Sequence, residues 1–138
     1  MKEIVISTAE RNAELVRKGY EAFNSGDVET LSELFRKDAI WTTPGKSSVA
    51  GTRNGQDSIF SHFGRYAAES KGTFKSSLKE ICTNEECNVV GIHHSTGTRN
   101  GKKLDTDVCI VFKLDENGQL ISGTEFFFDL NNWEDYWS

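Results

Sequence analysis

Carboxylates that share strand faces are among the residues of this sequence best suited to chemistry. Side chains alternate along a strand, so Glu125, Phe127 and Asp129 are expected to share one face of a C-terminal strand. Asp105 and Asp107 share a face of a preceding strand-like segment. If the two sets lie close together, repulsion raises the pKa of one carboxyl and provides a general acid or base. The alternative for each set is a solvated or edge-guarding strand face.

Histidines extend the set of candidate acids and bases. His93 and His94 are consecutive in a strand-like segment, so only one of them can face the interior. An unperturbed imidazole titrates near neutrality, which suits proton transfer, and the alternative is a buried, hydrogen-bonded structural histidine. His62 lies at the border of the apolar face of a predicted helix, where it either rims a pocket or lies on the helix surface.

Metal-binding spacing is not recognisable in the sequence. The three histidines are scattered, and the cysteines, Cys82, Cys87 and Cys109, are odd in number and contain no Cys-x-x-Cys motif. We therefore predict no metal site and free thiols, as is usual in the cytoplasm.

The composition predicts one globular domain over residues 1–138. Lysine and arginine number 16 against 21 acidic residues, and the net charge of −5 argues against binding to nucleic acids or anionic membranes. No run of about 18 apolar residues predicts a membrane span. The segment Met1–Ser7 lacks the long apolar stretch of a signal peptide, so we expect a cytoplasmic protein.

Helices are predicted first and strands later along the chain. The predicted helices have apolar residues at helical spacing and span 8–24, 28–35, 56–70 and the C-terminal 131–138. The predicted strands span 38–43, 73–83, 88–98, 102–114 and 119–129. Thr8 and Asp27 are the expected N-caps of the first two helices, and Asn100-Gly101 predicts a hairpin turn. Helices followed by an antiparallel meander indicate the α+β class.

The order of elements resembles the nuclear transport factor 2-like, or cystatin-like, α+β cone fold, in its SnoaL-like branch. This branch is related to polyketide cyclases and ketosteroid isomerases. The segments that carry the resemblance are 20–27 (YEAFNSGD), 38–45 (DAIWTTPG), 50–59 (AGTRNGQDSI) and 125–129 (EFFFD). The resemblance implies N-terminal helices packed on a strongly bent antiparallel sheet, a conical pocket and a homodimer formed through the sheet. It says little about activity, because this fold hosts enzymes and non-enzymes.

The catalytic sets of two enzyme groups with this fold are missing. Ketosteroid isomerases carry a carboxylate at the position of Thr43, and threonine cannot take a carbon-bound proton at neutral pH. Their oxyanion-hole positions correspond to Gly19 and to the vicinity of Ile110. Epoxide hydrolases carry an Arg-x-Asp near 91–93 and an aspartate at the position of Phe126. Neither mechanism is expected here.

SnoaL-type polyketide cyclases close a ring by an aldol reaction, which needs one acid or base group and an apolar pocket but no metal or cofactor. On this resemblance we expect no cofactor. The candidate catalytic residues are His94, Asp107 and Glu125, with His94 preferred over its neighbour because relatives often carry a histidine there. The candidate pocket residues are Tyr20, Trp41, Thr43, His62, Phe63, Phe127 and Asp129.

Two hypotheses about function follow. The first is a pocket for a small apolar or aromatic molecule, used either for a cofactor-free isomerisation or cyclisation or for binding without turnover; it needs a buried ionisable group in a cavity. The second is a protein-interaction module; it needs an exposed apolar patch on the sheet, beyond the area that a homodimer covers. The expected partners are therefore a small molecule and a second copy of this chain.

Overall fold

The computed structural model describes residues 7–84 and 86–138, so the absence of a signal peptide, predicted from residues 1–7, rests mostly on residues outside the described part. The helices are α1 (Thr8–Ser25), α2 (Val28–Leu34), α3 (Gln56–Glu69) and α4 (Leu130–Trp137). The strands are β1 (Phe35–Thr43), β2 (Gly51–Asn54), β3 (Lys75–Thr83), β4 (Asn88–Arg99), β5 (Lys102–Leu114) and β6 (Leu120–Phe127).

The helices begin and end at capping residues that the sequence predicts, except that the N-cap of α1 lies one residue earlier than expected. The Ser7 side chain accepts a hydrogen bond from the Glu10 backbone N–H at 3.1 Å, so the prediction of Thr8 as N-cap is wrong by one residue. Gly26 ends α1 in the left-handed conformation at φ 70°, which a residue without a Cβ adopts freely. Asp27 then caps α2 as predicted.

The six strands form one mixed sheet in the order β2-β1-β6-β5-β4-β3. The meander from β3 to β6 is antiparallel as predicted, but β1 pairs in parallel with β6. Strand β2 was not predicted; it lies between the predicted strand 38–43 and the predicted helix 56–70, and it pairs with β1. A parallel pairing between distant segments needs no hairpin turn, so no local signal predicts it. An edge strand of four residues is too short to show a clear alternation of apolar and polar residues.

Helices α1 and α3 cover one face of the sheet, and the main core lies between these helices and that face. A second cluster surrounds α4, where Trp133, Tyr136 and Trp137 are at most 2% exposed. This agrees with the predicted C-terminal helix anchored by aromatic residues. Among the described residues, no helix combines the length and the apolar character needed to cross a membrane.

Candidate functional site

A largely aromatic cavity lies between the helices and the inner face of the sheet. Its empty space, which includes the part open to solvent, is about 580 Å³. The structure places the predicted pocket residues Tyr20, Trp41 and Phe63 in its lining. Most other lining residues are aliphatic or aromatic, and within the described ranges no lysine or arginine lines it. The cavity is therefore suited to an apolar molecule without negative charge.

Glu125 is the ionisable carboxyl group of this cavity. Its side chain is 4% exposed and belongs to the lining. Oε1 accepts hydrogen bonds from Trp41 Nε1 at 2.5 Å, Thr43 Oγ1 at 3.0 Å and Tyr66 OH at 3.4 Å. The second oxygen, Oε2, has no hydrogen-bond partner within the described residues and is not fully buried, and the residue belongs to the cavity lining. One oxygen is thus held by the protein and the other is available to a ligand.

Burial raises the pKa of Glu125 to about 7, although the hydrogen bonds from Trp41, Thr43 and Tyr66 favour the charged form and oppose this shift. Burial dominates because the carboxyl group is out of water and no cation contacts it in the described structure. A carboxyl group that titrates near neutrality can both accept and return a proton under physiological conditions.

Gly123 allows Trp41 to reach Glu125. Trp41 pairs with Gly123 across β1 and β6, and a Cβ on Gly123 would overlap the indole ring. The six-membered part of the ring therefore lies directly against Gly123, and Nε1 donates to the carboxylate two residues farther along the strand. A glycine inside a strand is a sequence signal for such a close approach, although we did not predict its partner.

The face of β6 that carries Glu125 is the interior face. The side chains of Phe126 and Phe128 alternate with those of Glu125 and Phe127, and they are 52% and 66% exposed. The alternative of a solvated Glu125 face is therefore wrong. Both faces carry phenylalanines, so hydrophobicity alone could not distinguish them.

Asp105 and Asp107 lie on the outer face of the sheet, opposite to Glu125. Glu125 pairs with Ile110, and both aspartates are an odd number of residues away from Ile110, so they point to the other side. The expectation that the two carboxylate sets lie close together is wrong, and Asp107 is not part of the cavity lining.

His94 also lies on the outer face, so the prediction that it faces the cavity is wrong. Its Nδ1 is 2.7 Å from Asp107 Oδ1 and its Nε2 is 2.6 Å from Asp105 Oδ1. These hydrogen bonds raise the pKa of His94, while the bonds from His94 and Lys79 lower the pKa of Asp107. The group is a surface ion-pair cluster without access to the cavity.

His93 occupies the inward position instead, because inward and outward residues alternate along β4. Its Nδ1 lies 2.7 Å from Tyr20 OH and its Nε2 lies 3.1 Å from Ser95 Oγ. Burial lowers the pKa of His93 to about 4, so the ring is neutral at physiological pH.

Thr43 and His62 lie behind Glu125 rather than in the cavity lining. The Thr43 hydroxyl donates to Glu125 and lies 3.3 Å from His62 Nε2. His62 is 2% exposed, so the alternative of a surface histidine is wrong. Burial, together with the charges of Arg53 and Arg65, lowers the pKa of His62 to about 3. Both residues support the carboxylate without touching the cavity.

Phe127 and Asp129 lie outside the cavity lining, contrary to their prediction as pocket residues. Phe127 stacks on Trp133 with ring centroids 4.0 Å apart. Strand β6 ends at Phe127, and Asp129 accepts a hydrogen bond from the Asn132 backbone N–H at 3.0 Å, which caps α4. The predicted strand ended two residues too late, because the N-cap of α4 was taken for a strand residue.

Two related proteins cover nearly the whole chain. An uncharacterized protein of Mycobacterium tuberculosis is 29% identical over 131 residues, which span 95% of this chain and 99% of that protein. The solved structure of Bal32a, from a soil-derived mobile gene cassette, superposes with a TM-score of 0.92 at 50% identity. That superposition covers 94% of this chain and 98% of Bal32a.

More distant solved structures share the fold. A protein of Xanthomonas campestris, named as a candidate polyketide cyclase, is 20% identical with a TM-score of 0.72, over 96% of this chain and 100% of that one. Structures named as cystatin-like or NTF2-like superpose with TM-scores of 0.85 and 0.79. The predicted cystatin-like α+β fold is thereby confirmed. Residues 16–122 match the family described as the SnoaL-like domain, and the chain belongs to that family.

Proposed function

We propose that the cavity binds a small, uncharged, apolar or aromatic metabolite and that Glu125 moves a proton on it. The reaction class is a cofactor-free isomerisation or cyclisation. The observation that carries this proposal is the buried Glu125 carboxyl, with Oε1 fixed by three donors and Oε2 open to the cavity.

The chemistry needs no group beyond this carboxylate. Glu125 Oε2 takes a proton from a carbon next to a substrate carbonyl, and the electron pair of the C–H bond passes into an enolate. In an isomerisation, Glu125 returns the proton to a different carbon. In a cyclisation, the enolate carbon bonds to a second carbonyl carbon of the same molecule, and the new alkoxide receives the proton. Neither route changes the oxidation state of the substrate overall.

The family and the apolar lining favour this reaction class. A structural neighbour from Xanthomonas campestris is named as a candidate polyketide cyclase, and a cyclase of that kind would catalyse such a ring closure. At 20% identity, the similarity to that protein concerns the fold alone. The aromatic lining suits the planar, conjugated body of a polyketide-like or terpenoid substrate.

Ligand binding is expected to raise the melting temperature of the protein. A ligand at a hundredfold excess over its dissociation constant adds about 2.7 kcal/mol to the free energy of unfolding, a shift of several degrees. The measurement is a thermal-shift screen against neutral aromatic metabolites, terpenoids, steroids and polyketide-like compounds, with Glu125→Gln expected to retain binding. A broad panel without any stabilisation would contradict the proposal.

A second candidate function, association through the outer face of the sheet, is favoured by exposed apolar side chains there. Phe126 is 52% exposed and Val111 is 36% exposed, and their parity places them on the same face. We propose that this face binds a second copy of the chain.

The dimer is expected to separate when a charge is placed on that face. Phe126→Glu would bury a carboxylate in the interface and is expected to give monomers in light scattering coupled to size-exclusion chromatography. Val28→Glu is the matched control, because Val28 is 57% exposed on α2, a helix that packs against α1. A monomeric parent protein, or dissociation of both variants alike, would contradict the proposal.

A further inference from the structure

Tyr20, His93 and Ser95 form a hydrogen-bonded chain in the cavity wall that the proposed reaction of Glu125 does not use. The Tyr20 hydroxyl is bonded to His93 Nδ1, and His93 Nε2 is bonded to Ser95 Oγ. All three side chains line the cavity and are at most 8% exposed. A buried polar chain at the wall of an apolar cavity is a candidate binding site for a polar ligand group.

The three side chains together carry one polar hydrogen more than their two mutual hydrogen bonds require. The neutral imidazole of His93 carries one N–H, and the hydroxyls of Tyr20 and Ser95 carry one O–H each. In one arrangement, Tyr20 donates to Nδ1 and Nε2–H donates to Ser95. In the other, Ser95 donates to Nε2, Nδ1–H donates to Tyr20, and the Tyr20 O–H is free. The Tyr20 oxygen can therefore accept from a ligand hydroxyl or donate to a ligand carbonyl.

Gly91 brings the Tyr20 hydroxyl close to the sheet, in the same row of residues as Glu125. A Cβ on Gly91 would lie 3.0 Å from the Tyr20 oxygen. Gly91 pairs with Ile110 and Ile110 pairs with Glu125, so Gly91 and Glu125 are separated by two strand spacings, roughly 10 Å. The apolar Ile110 lies between the two polar positions. A ligand that reaches both needs an apolar body with a polar group at each end.

The charges around the cavity disfavour an anionic ligand group at this position. Burial and the charge of Glu125 raise the pKa of Tyr20 above its ordinary value, so the phenol remains protonated. No arginine or lysine of the described residues lines the cavity. A ligand carboxylate or phosphate would lose its hydration without gaining a cationic partner.

We propose that Tyr20, supported by His93 and Ser95, is a second polar subsite that binds an uncharged carbonyl or hydroxyl oxygen of the substrate. This inference rests on the proposed function, in which the reacting carbon lies at Glu125. It narrows the substrate class to neutral ring compounds that carry an oxygen at the end remote from the reacting carbon.

The test compares three probes of the same ring size: naphthalene, 2-naphthol and 2-naphthoate. Dissociation constants are measured at pH 7 by protein-observed NMR titration. The parent protein is expected to bind 2-naphthol roughly three- to tenfold more tightly than naphthalene, and 2-naphthoate most weakly. Tyr20→Phe keeps the ring and is expected to remove the preference for 2-naphthol over naphthalene. Tyr136→Phe, which removes a hydroxyl bonded to the Thr98 carbonyl in the α4 cluster, is expected to keep the preference.

The outcomes separate this inference from the proposed function. Equal binding of naphthalene and 2-naphthol, or a preference unchanged in Tyr20→Phe, would overturn the subsite and leave the cavity as a ligand site. Tighter binding of 2-naphthoate would overturn the neutral substrate class. Failure of all three probes to bind would overturn the proposed function and this inference with it.

Discussion

Glu125→Gln is expected to lose catalytic turnover while gaining stability at alkaline pH relative to the parent protein. Removal of a general base costs roughly 10²- to 10⁴-fold in rate. The gain in stability follows from burial, which raises the pKa of Glu125 from 4.5 to about 7. Between these values the folded protein keeps a proton that the unfolded chain releases, so the stability of the parent falls as the pH rises. The full loss in the free energy of unfolding of the parent protein, about 3 kcal/mol, is present above pH 7 and absent below pH 4.5.

Urea unfolding of both proteins at pH 4.5 and pH 8 measures this effect. The difference in the free energy of unfolding between Glu125→Gln and the parent is expected to grow with pH, because the glutamine amide has no proton to lose. Other titrating groups are common to both proteins and cancel in this comparison. Glu80→Gln is the matched control at an exposed position of β3 and is expected to change stability by less than about 0.5 kcal/mol. A difference that does not depend on pH would contradict the buried state of the Glu125 carboxyl group.

Gly123→Ala is expected to destabilise the protein and to displace Trp41. The added methyl group would overlap the indole ring, and overpacking of this kind typically costs about 1–3 kcal/mol. As the ring moves, Nε1–H loses its bond to Glu125 Oε1, and the loss of a donor raises the pKa of the carboxyl group further. Thermal unfolding and the pH dependence of stability measure the two effects.

Gly64→Ala is the control for Gly123→Ala. Gly64 is exposed within α3, and nothing lies within 4 Å of a Cβ at that position. Alanine is the better helix former, so this variant is expected to be more stable by roughly 0.5–1 kcal/mol. If Gly123→Ala were tolerated as well as Gly64→Ala, with Trp41 fluorescence unchanged, the close approach of the indole to β6 would be contradicted.

All elements of the fold except β2 could be predicted because their signals are local. Apolar spacing marks α1 and α3, and the turn at Asn100-Gly101 has positive φ at both residues, as its sequence predicts. The parallel pairing of β1 with β6 joins segments about 80 residues apart along the chain. No local pattern encodes such a closure, and the resemblance to a family indicated it only through the fold as a whole.

The site was predicted in part, and the error at His94 has a clear physical origin. Alternation along a strand assigns residues to two faces but does not say which face is buried when both carry apolar side chains. Glu125 was a correct choice of inward carboxylate, whereas the choice of His94 over His93 failed for this reason. Tyr66 was not among the predicted site residues, because its hydroxyl contact with Glu125 depends on the packing of distant elements.

Titration of the Glu125 carboxyl carbon by ¹³C NMR, with Glu125→Gln used to assign the signal, is the measurement that bears most closely on the proposed role of this group. We expect a midpoint at about pH 7, because the carboxyl group is buried in an apolar cavity. A midpoint near 4.5, the ordinary value for a glutamate, would show a hydrated carboxylate and would contradict its role as the acid and base of the cavity.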